Sequence, residues 1–419
     1  MIVSTDNSPK VKMSYRPLIR DVRIAYHHLR TVFPPTPLEL NQILSARHKA
    51  QIWLKREDQT PVRSYKIRGA LNKMSSIDLN KKVVTCSAGN HAQGVAYVAA
   101  MMKIHADIFM PITTTKQKID KVQTHGRGYV TIHLEGNTFD ESAAKAQTWS
   151  KRTGSVLVPP FDDPLVIEGQ ATVGMEIMKQ STHPPDYVFL PVGGGGLAAG
   201  VAHYIKTFSP ATTIIGVEPK GAASLTLALK EGRPTSLPTI NSFVDGAAVR
   251  CVGQHNFPLC KAHLDDVITV DEGHVCSKIL QIYNENGYII EPAGVLSLCA
   301  LDLTPEIRDK RVVAILSGGN SDVFRMPEIL ERSLIYEEKK QYFRIEFPQR
   351  AGALKDFITN VLGPTDDIIY FKYIKLINRE SGPVLIGFET KSKENSYQLM
   401  ERMKQASIHY ERLTHLSDL

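Results

Sequence analysis

Tyr187-Val188-Phe189-Leu190-Pro191-Val192 runs directly into Gly193-Gly194-Gly195-Gly196, and Leu197 through Phe208 continues with helical spacing. A short apolar run that ends at glycine reads as a buried strand, here followed by a helix. Four successive glycines are costly in chain entropy, so they need a use. Backbone amides curled around a phosphate at the helix N-terminus supply one. The stretch also fits a second pattern. Gly193, Gly195 and Ala198 match G-x-G-x-x-G/A, and Glu218 ends the next strand, 25 residues after Gly193. On this stretch alone a dinucleotide fits as well.

The same alternation extends outward from residue 20 to residue 325. Val83–Cys86, His105–Pro111, Ile214–Glu218 and Val312–Leu316 read as further buried strands. Ala92, Val95, Ala96, Ala99 and Ala100 share one helix face. Strands alternating with helices imply parallel sheets covered by helices.

Three more segments sit at turns of this pattern. In Ser64-Tyr65-Lys66-Ile67-Arg68-Gly69-Ala70, the residues Ile67, Ala70, Leu71 and Met74 follow helical spacing, which puts Lys66 near a helix start. The helix dipole and desolvation both lower the pKa of such a lysine, as an amine nucleophile requires. An isolated lysine there more commonly covers apolar surface with its stem. Ser87-Ala88-Gly89-Asn90-His91-Ala92-Gln93-Gly94 falls where Val83–Cys86 turns into a helix, and it offers free amides and side-chain donors to an anion. A plain N-cap would explain it equally well. Leu316-Ser317-Gly318-Gly319-Asn320 ends a strand, and Ser317 could be a neutral partner for a ring nitrogen. Glu218, the Ala222 carbonyl and Ser224 offer oxygens to a cation, as loops routinely do, and no metal is expected. GxxxxGK[ST], HExxH and GxSxG are absent from the chain.

Near Glu328–Lys340 the texture changes to a charged linker. Beyond it, strand (Tyr342–Phe347), helix (Gly352–Leu362), two strands (Ile368–Leu376 and Pro383–Thr390), helix (Ser396–Gln405) and strand (Ile408–Leu413) follow in turn. The order βαββαβ is that of a ferredoxin-like module. The expected division is a disordered N-terminus over 1–16, a catalytic α/β domain of two subdomains over 17–330, a linker over 331–340 and the module over 341–415.

Composition bounds the rest. The 419 residues suggest two to four domains, and 42% apolar with 22% charged residues excludes wholesale disorder. Five cysteines without a CxxC pair argue against a disulfide framework and a zinc cluster, and fit a reducing compartment. The absence of a long apolar run and of a signal-peptide core adds to a cytoplasmic expectation, with no membrane partner. The net charge of +7 is dispersed, since residues 331–419 carry 14 basic and 13 acidic side chains. Without a basic run interleaved with aromatics, nucleic acid is not an expected partner.

Taken together, SYKIRGA (64–70), SAGNHAQGVA (87–96), PVGGGGLAAG (191–200) and LSGGN (316–320) resemble the fold-type-II pyridoxal-phosphate enzymes, and within them the biosynthetic threonine dehydratases (threonine ammonia-lyases). FDDPLVIEGQAT, GVEP, VDGAAV and EPAG add to the likeness, which spans residues 17 to 415. The resemblance implies a tryptophan-synthase-β-like α/β fold with an ACT-like domain behind it. It implies pyridoxal 5'-phosphate as cofactor, with Lys66 forming the Schiff base and acting as catalytic base. Asn90 would bond the ring hydroxyl, Gly193, Gly194, Gly195, Gly196 and Leu197 would hold the phosphate, and Ser317 would face the pyridine nitrogen. Ser87, Asn90 and His91 would hold the substrate carboxylate.

The reaction this implies is dehydration and deamination of L-threonine to 2-oxobutanoate, the first step of isoleucine biosynthesis. Isoleucine would inhibit through the C-terminal module, and the chain would form a homotetramer or homodimer. One aldehyde, one phosphate and one ring nitrogen need an amine, a nest and a ring partner, and the chain supplies one of each. A dinucleotide would leave Lys66, the Ser87 turn and Ser317 without a role. Serine racemases of this fold carry a second serine where Ala88 stands, so elimination is expected here over racemisation. A catabolic serine/threonine dehydratase is the nearest rival, and a catalytically inactive amino-acid sensor is the alternative of another class.

Overall fold

The structure, a computed structural model, describes residues 15–373 and 380–413. Most of the segment expected to be disordered (residues 1–14), the end of the strand expected over Ile368–Leu376, and residues 414–415 lie outside the described residues.

The larger unit, through Glu272 and from Ile282 to Ser321, holds two sheets. Its strands are β1 (Leu38–Leu40), β2 (Gln51–Arg56), β3 (Val83–Cys86), β4 (Ala106–Met110), β5 (Val130–Leu134), β6 (Val156–Leu157), β7 (Tyr187–Pro191), β8 (Thr213–Pro219), β9 (Asp266–Val270) and β10 (Arg311–Leu316). One sheet runs β1-β2-β10-β7-β8-β9 and the other β5-β4-β3-β6. Only β1 is antiparallel to its neighbour.

Parallel strands need helical crossovers, and the helices bury both sheet faces. Val188, Leu190, Ile214, Val313 and Ile315 pack with Val201 and Ile205 of the helix Gly196–Phe208 in one core. Val83, Ile108 and Val95 pack with Ile67 and Leu71 in a second. The chain enters helices at the C-terminal ends of β3 and β7, which is where ligands bind in open α/β sheets.

The Lys66–Ser75 helix is more deeply enclosed than an amphipathic reading predicts, because Arg68 and Asn72 are buried along with the apolar face. Arg68 forks onto Glu57 at 2.7 Å through both Nε and Nη2, and reaches the two oxygens of Glu176 at 2.8 and 2.9 Å. Lys55 of β2, also fully buried, joins Glu176 at 2.6 Å. The cluster ties together the Lys66 helix, β2 and the helix Pro164–Gln180.

The smaller unit comprises Gly273–Gln281 and the chain from Asp322 onward. Its strands are β11 (Lys340–Pro348), β12 (Asp367–Tyr373), β13 (Ser381–Glu389) and β14 (Tyr410–Leu413), with helices Ala353–Asn360 and Lys393–Gln405 between them. The sheet order β12-β13-β11-β14, antiparallel throughout, is that of a ferredoxin-like module. Phe343, Ile345 and Phe347 alternate with outward Arg344 and Glu346 along β11, and meet Phe357, Phe388 and Leu399 in the core. The charged stretch expected to be a linker is largely helix, Met326–Tyr336, and an i,i+4 pair between Glu328 and Arg332 at 2.9 Å supports it.

Candidate active site

Gly195 adopts φ +87° and caps the helix Gly196–Phe208, so the chain reverses sharply after β7. The loop carbonyls are all engaged from the protein side. Gly194 O accepts from Asn256 Nδ2 at 2.7 Å and from the Gly253 amide at 3.1 Å, while Gly195 O accepts from the Ala199 amide at 2.8 Å. Gly193 O accepts from Ser224 Oγ at 3.5 Å. The amides of Gly193, Gly194 and Gly195 have no protein acceptor among the described residues. Carbonyls turned inward and amides left free make an anion nest at a helix N-terminus. A Cβ on Gly194 would stand 2.4 Å from the Phe161 ring, so no other residue fits there.

Phe161 connects this nest to Lys66. The Lys66 ammonium lies 5.8 Å from the centre of the Phe161 ring and donates to Pro160 O at 2.8 Å. Lys66 is the first residue of its helix. Burial pulls its pKa down to about 8, partly opposed by the negative charge of Glu291. It nonetheless keeps some accessible surface, as a group lining an internal space does. The helix Asn90–Met102 approaches closely at Gly94, where a Cβ would meet the Ile67 backbone at 3.3 Å.

Ser317 follows β10 and is also drawn to this point. Its carbonyl accepts from the Tyr65 amide at 3.1 Å, and its hydroxyl donates to Ala293 O at 3.3 Å. The neighbouring Ser64 hydroxyl is buried without a partner among the described residues. Asn90 opens its helix with Nδ2 donating to Glu291 Oε1 at 2.6 Å and Oδ1 accepting from Asn320 Nδ2 at 2.8 Å. Ser87 Oγ accepts from the Gly89 amide at 3.2 Å, and a Cβ on Gly89 would meet open space. The amides of Asn90, His91 and Ala92 find no protein acceptor among the described residues. The His91 ring turns the other way, with Nε2 2.9 Å from Val158 O. Burial and nearby Lys66 push its pKa down to about 3, so the ring is neutral.

Lys66, Asn90, the glycine loop and Ser317 are thus joined by short chains of contacts through Phe161, Glu291 and Ala293. The residues fit pyridoxal phosphate: a nest for the phosphate, an amine of lowered pKa for the aldehyde and a buried hydroxyl for the ring. They do not fit a dinucleotide. Glu218, which would have to bind a ribose, is fully buried and accepts from the amides of Leu225 and Thr226 at 2.7 and 2.8 Å. Glu291, Asn320, Phe161 and Asn256 are the participants that residue patterns did not single out. The first three lie inside the segments EPAG, LSGGN and FDDPLVIEGQAT, whereas Asn256 carries no local signal.

Residues 29–318 match the pyridoxal-phosphate-dependent enzyme family, and residues 331–419 match the C-terminal regulatory domain of threonine dehydratase. The biosynthetic L-threonine dehydratase IlvA of Halalkalibacterium halodurans is 48% identical over 396 residues, covering 94% of this chain and 95% of its own. That of Bacillus subtilis is 45% identical over 405 residues, covering 96% of each. Among solved structures, the processed form of threonine deaminase isoform 2 from Solanum lycopersicum superposes with a TM-score of 0.71 at 38% identity, over 78% of this chain and 94% of that one. With the matched domains in this order and the likeness running nearly end to end, the chain belongs to the biosynthetic threonine dehydratases, pyridoxal-phosphate-dependent enzymes that carry a C-terminal regulatory domain.

Proposed function

We propose that this chain converts L-threonine to 2-oxobutanoate and ammonia, with Lys66 as both covalent anchor of the cofactor and catalytic base. The observation that carries this reading is a lysine of lowered pKa set beside a nest of free amides. Pyridoxal phosphate, when bound, supplies the electron sink that lets a proton leave Cα and a hydroxyl leave Cβ. The Gly193–Leu197 amides would hold the phosphate, and Asn90 would donate to the ring hydroxyl oxygen. The Ser317 hydroxyl would be a neutral partner for the ring nitrogen, which would favour elimination over transamination.

The free amides at the start of the Asn90 helix, with Ser87 beside them, receive the substrate carboxylate. His91 contributes there through its backbone, because its ring is committed to Val158. The Lys66 amine, in its neutral form, takes the Cα proton at Nζ. Ala88 offers no proton to the opposite face, which favours elimination over racemisation.

The finer assignments follow the same reading. Residues 17–330 form the catalytic domain, 341–415 the regulatory one, and 331–340 join them. Isoleucine is the feedback inhibitor, the enzyme is a homotetramer or homodimer, and it works in the cytoplasm. Among the described residues no helix is long and apolar enough to cross a membrane, and all five cysteines are free. In the regulatory unit an open cleft of about 540 Å³ is lined by Arg350, Leu354, Ile358 and Tyr373. Gly352, at φ +84°, caps the helix Ala353–Asn360 at its edge. A cation, a helix N-terminus and apolar walls suit an amino acid with a branched side chain.

The test is 2-oxo acid formation from threonine and serine, with and without isoleucine and valine, in wild type and Lys66→Ala. The alanine variant is expected to keep its fold, lose the covalent link to the cofactor and lose activity by several orders of magnitude, since base catalysis alone contributes roughly 10²–10⁴. Turnover at the wild-type rate would show that Lys66 has neither role.

A further inference from the structure

Two groups with no freedom of choice, one carbonyl and one backbone amide, fix the hydrogen bonds around Asn90. Asn320 Nδ2 lies 2.8 Å from Val62 O, a carbonyl that can only accept, so that end of the Asn320 amide is its NH₂. The same Nδ2 lies 2.8 Å from the Asn90 amide, which must therefore present Oδ1. The NH₂ of Asn90 then faces Glu291 Oε1 at 2.6 Å. The other carboxyl oxygen, Oε2, is 3.3 Å from the Asn320 backbone amide, again only a donor. Both oxygens of Glu291 are thus placed as acceptors. A Cβ on Gly318 would stand 2.4 Å from Glu291 Oε1, so the carboxylate is held against backbone with no room to turn.

We infer that Glu291, backed by Asn320, is a positioning residue that locks the Asn90 amide so that one N–H remains for the cofactor's ring oxygen, which the site then holds in its deprotonated form. This rests on the placement of the ring beside Asn90 proposed above. The second N–H of Asn90 is the only polar hydrogen of that amide not spoken for, and an oxygen set against it meets a donor. A donor stabilises an anionic oxygen over a hydroxyl. The charges that act on Glu291 are Lys66, Lys118 and Asp245, the last two paired with each other at 2.7 Å, and Glu291 is itself the charge nearest to an oxygen set against Asn90.

The experiment follows the visible absorption of the bound cofactor against pH, together with cofactor affinity from fluorescence titration, in wild type, Glu291→Gln, Glu291→Asp, Asn320→Ala and Asn90→Ala. Glutamine fits the same space but sets an NH₂ against one of two donors. It also removes a negative charge beside the ring oxygen, so its readout is affinity, expected to weaken roughly tenfold, whereas Asn320→Ala keeps that charge, frees the Asn90 amide and is expected to move the spectroscopic midpoint up by about one unit. Aspartate should recover part of the affinity. If Asn320→Ala titrates like wild type and Glu291→Gln binds the cofactor like wild type while Asn90→Ala shifts, the positioning role is wrong and the site reading survives. If Asn90→Ala also leaves the spectrum unchanged, the ring is not at Asn90 and both readings fall. Should Glu291→Gln fail to fold, Asn320→Ala is judged by the same two outcomes.

Discussion

Replacing Lys66 with methionine is expected to stabilise the cofactor-free protein while abolishing its chemistry. Lys66 titrates near 8 in the folded chain against an ordinary 10.5. Below pH 8 the amine is charged in both states, and folding must bury a cation. Between 8 and 10.5 the folded state has shed its proton and the unfolded state has not, so this penalty fades and stability rises with pH. Lowering the amine from 10.5 to about 8 corresponds to about 3 kcal/mol at neutral pH. Methionine removes that penalty and keeps the stem's packing. It forfeits the bond to Pro160 O, about 1 kcal/mol, which leaves a net gain of about 2 kcal/mol. For a unit of this size that is a rise of roughly 4 °C in the unfolding temperature. Thermal unfolding of both cofactor-free proteins at about pH 7 and pH 10.5 reads it directly. The gain should be present at the lower pH and gone at the higher. A variant no more stable than wild type at pH 7, or equally stabilised at both, would refute the claim that burial of the ammonium sets the amine's pKa.

Other outcomes follow from the same geometry. Gly194→Ala drives a methyl into the Phe161 ring and should weaken cofactor binding by at least tenfold in a fluorescence titration; an affinity equal to wild type would show that the loop is not the phosphate nest. Ser317→Asp should protonate the ring nitrogen and raise transamination relative to 2-oxobutanoate, and an unchanged product ratio would remove Ser317 from the ring. The Glu291 carboxyl is pushed up to about 7 by burial and by Asp245, above its unfolded value. Its contribution to stability is therefore present below about pH 4.5 and lost as pH rises through 7, and Glu291→Gln should flatten that slope in the cofactor-free protein. Ending the chain after Glu338 should preserve basal elimination and abolish any response of the threonine saturation curve to isoleucine; a full-length enzyme indifferent to isoleucine would leave the module an oligomerisation device.

Strands β3, β4, β7, β8 and β10 were legible because buried parallel strands are unbroken apolar runs between turn residues. Strand β2 was not. It ends in Lys55 and Arg56, and a charged end looks solvent-exposed until its partners are known. Arg68 drew no reading within SYKIRGA, since its partner Glu176 lies 108 residues away in the chain. The ferredoxin-like module was legible from alternation, as in Phe343, Ile345 and Phe347. Within the site, Lys66, the glycine loop and Ser317 announce themselves by residue type at a turn. Glu291 does not, since its meaning comes from Asn90, 201 residues away in the chain. Asn256 and Phe161 likewise act across the fold on the backbone of Gly194.

The ionic cluster behind Lys66 has a consequence for how such a sequence can change over time. Arg68 stands two residues from Lys66, the proposed catalytic amine, and is gripped by Glu57 and Glu176, the second of which also holds Lys55. Removing any one member strands a buried charge, at about 3–5 kcal/mol, a large part of the whole stability of a typical domain. Replacing the set together by apolar groups of matching shape can be neutral or better. Every route from the charged arrangement to an apolar one therefore passes through single-step intermediates that scarcely fold. The helix that aims the lysine is kept in place by the inaccessibility of its alternatives as much as by its own strength.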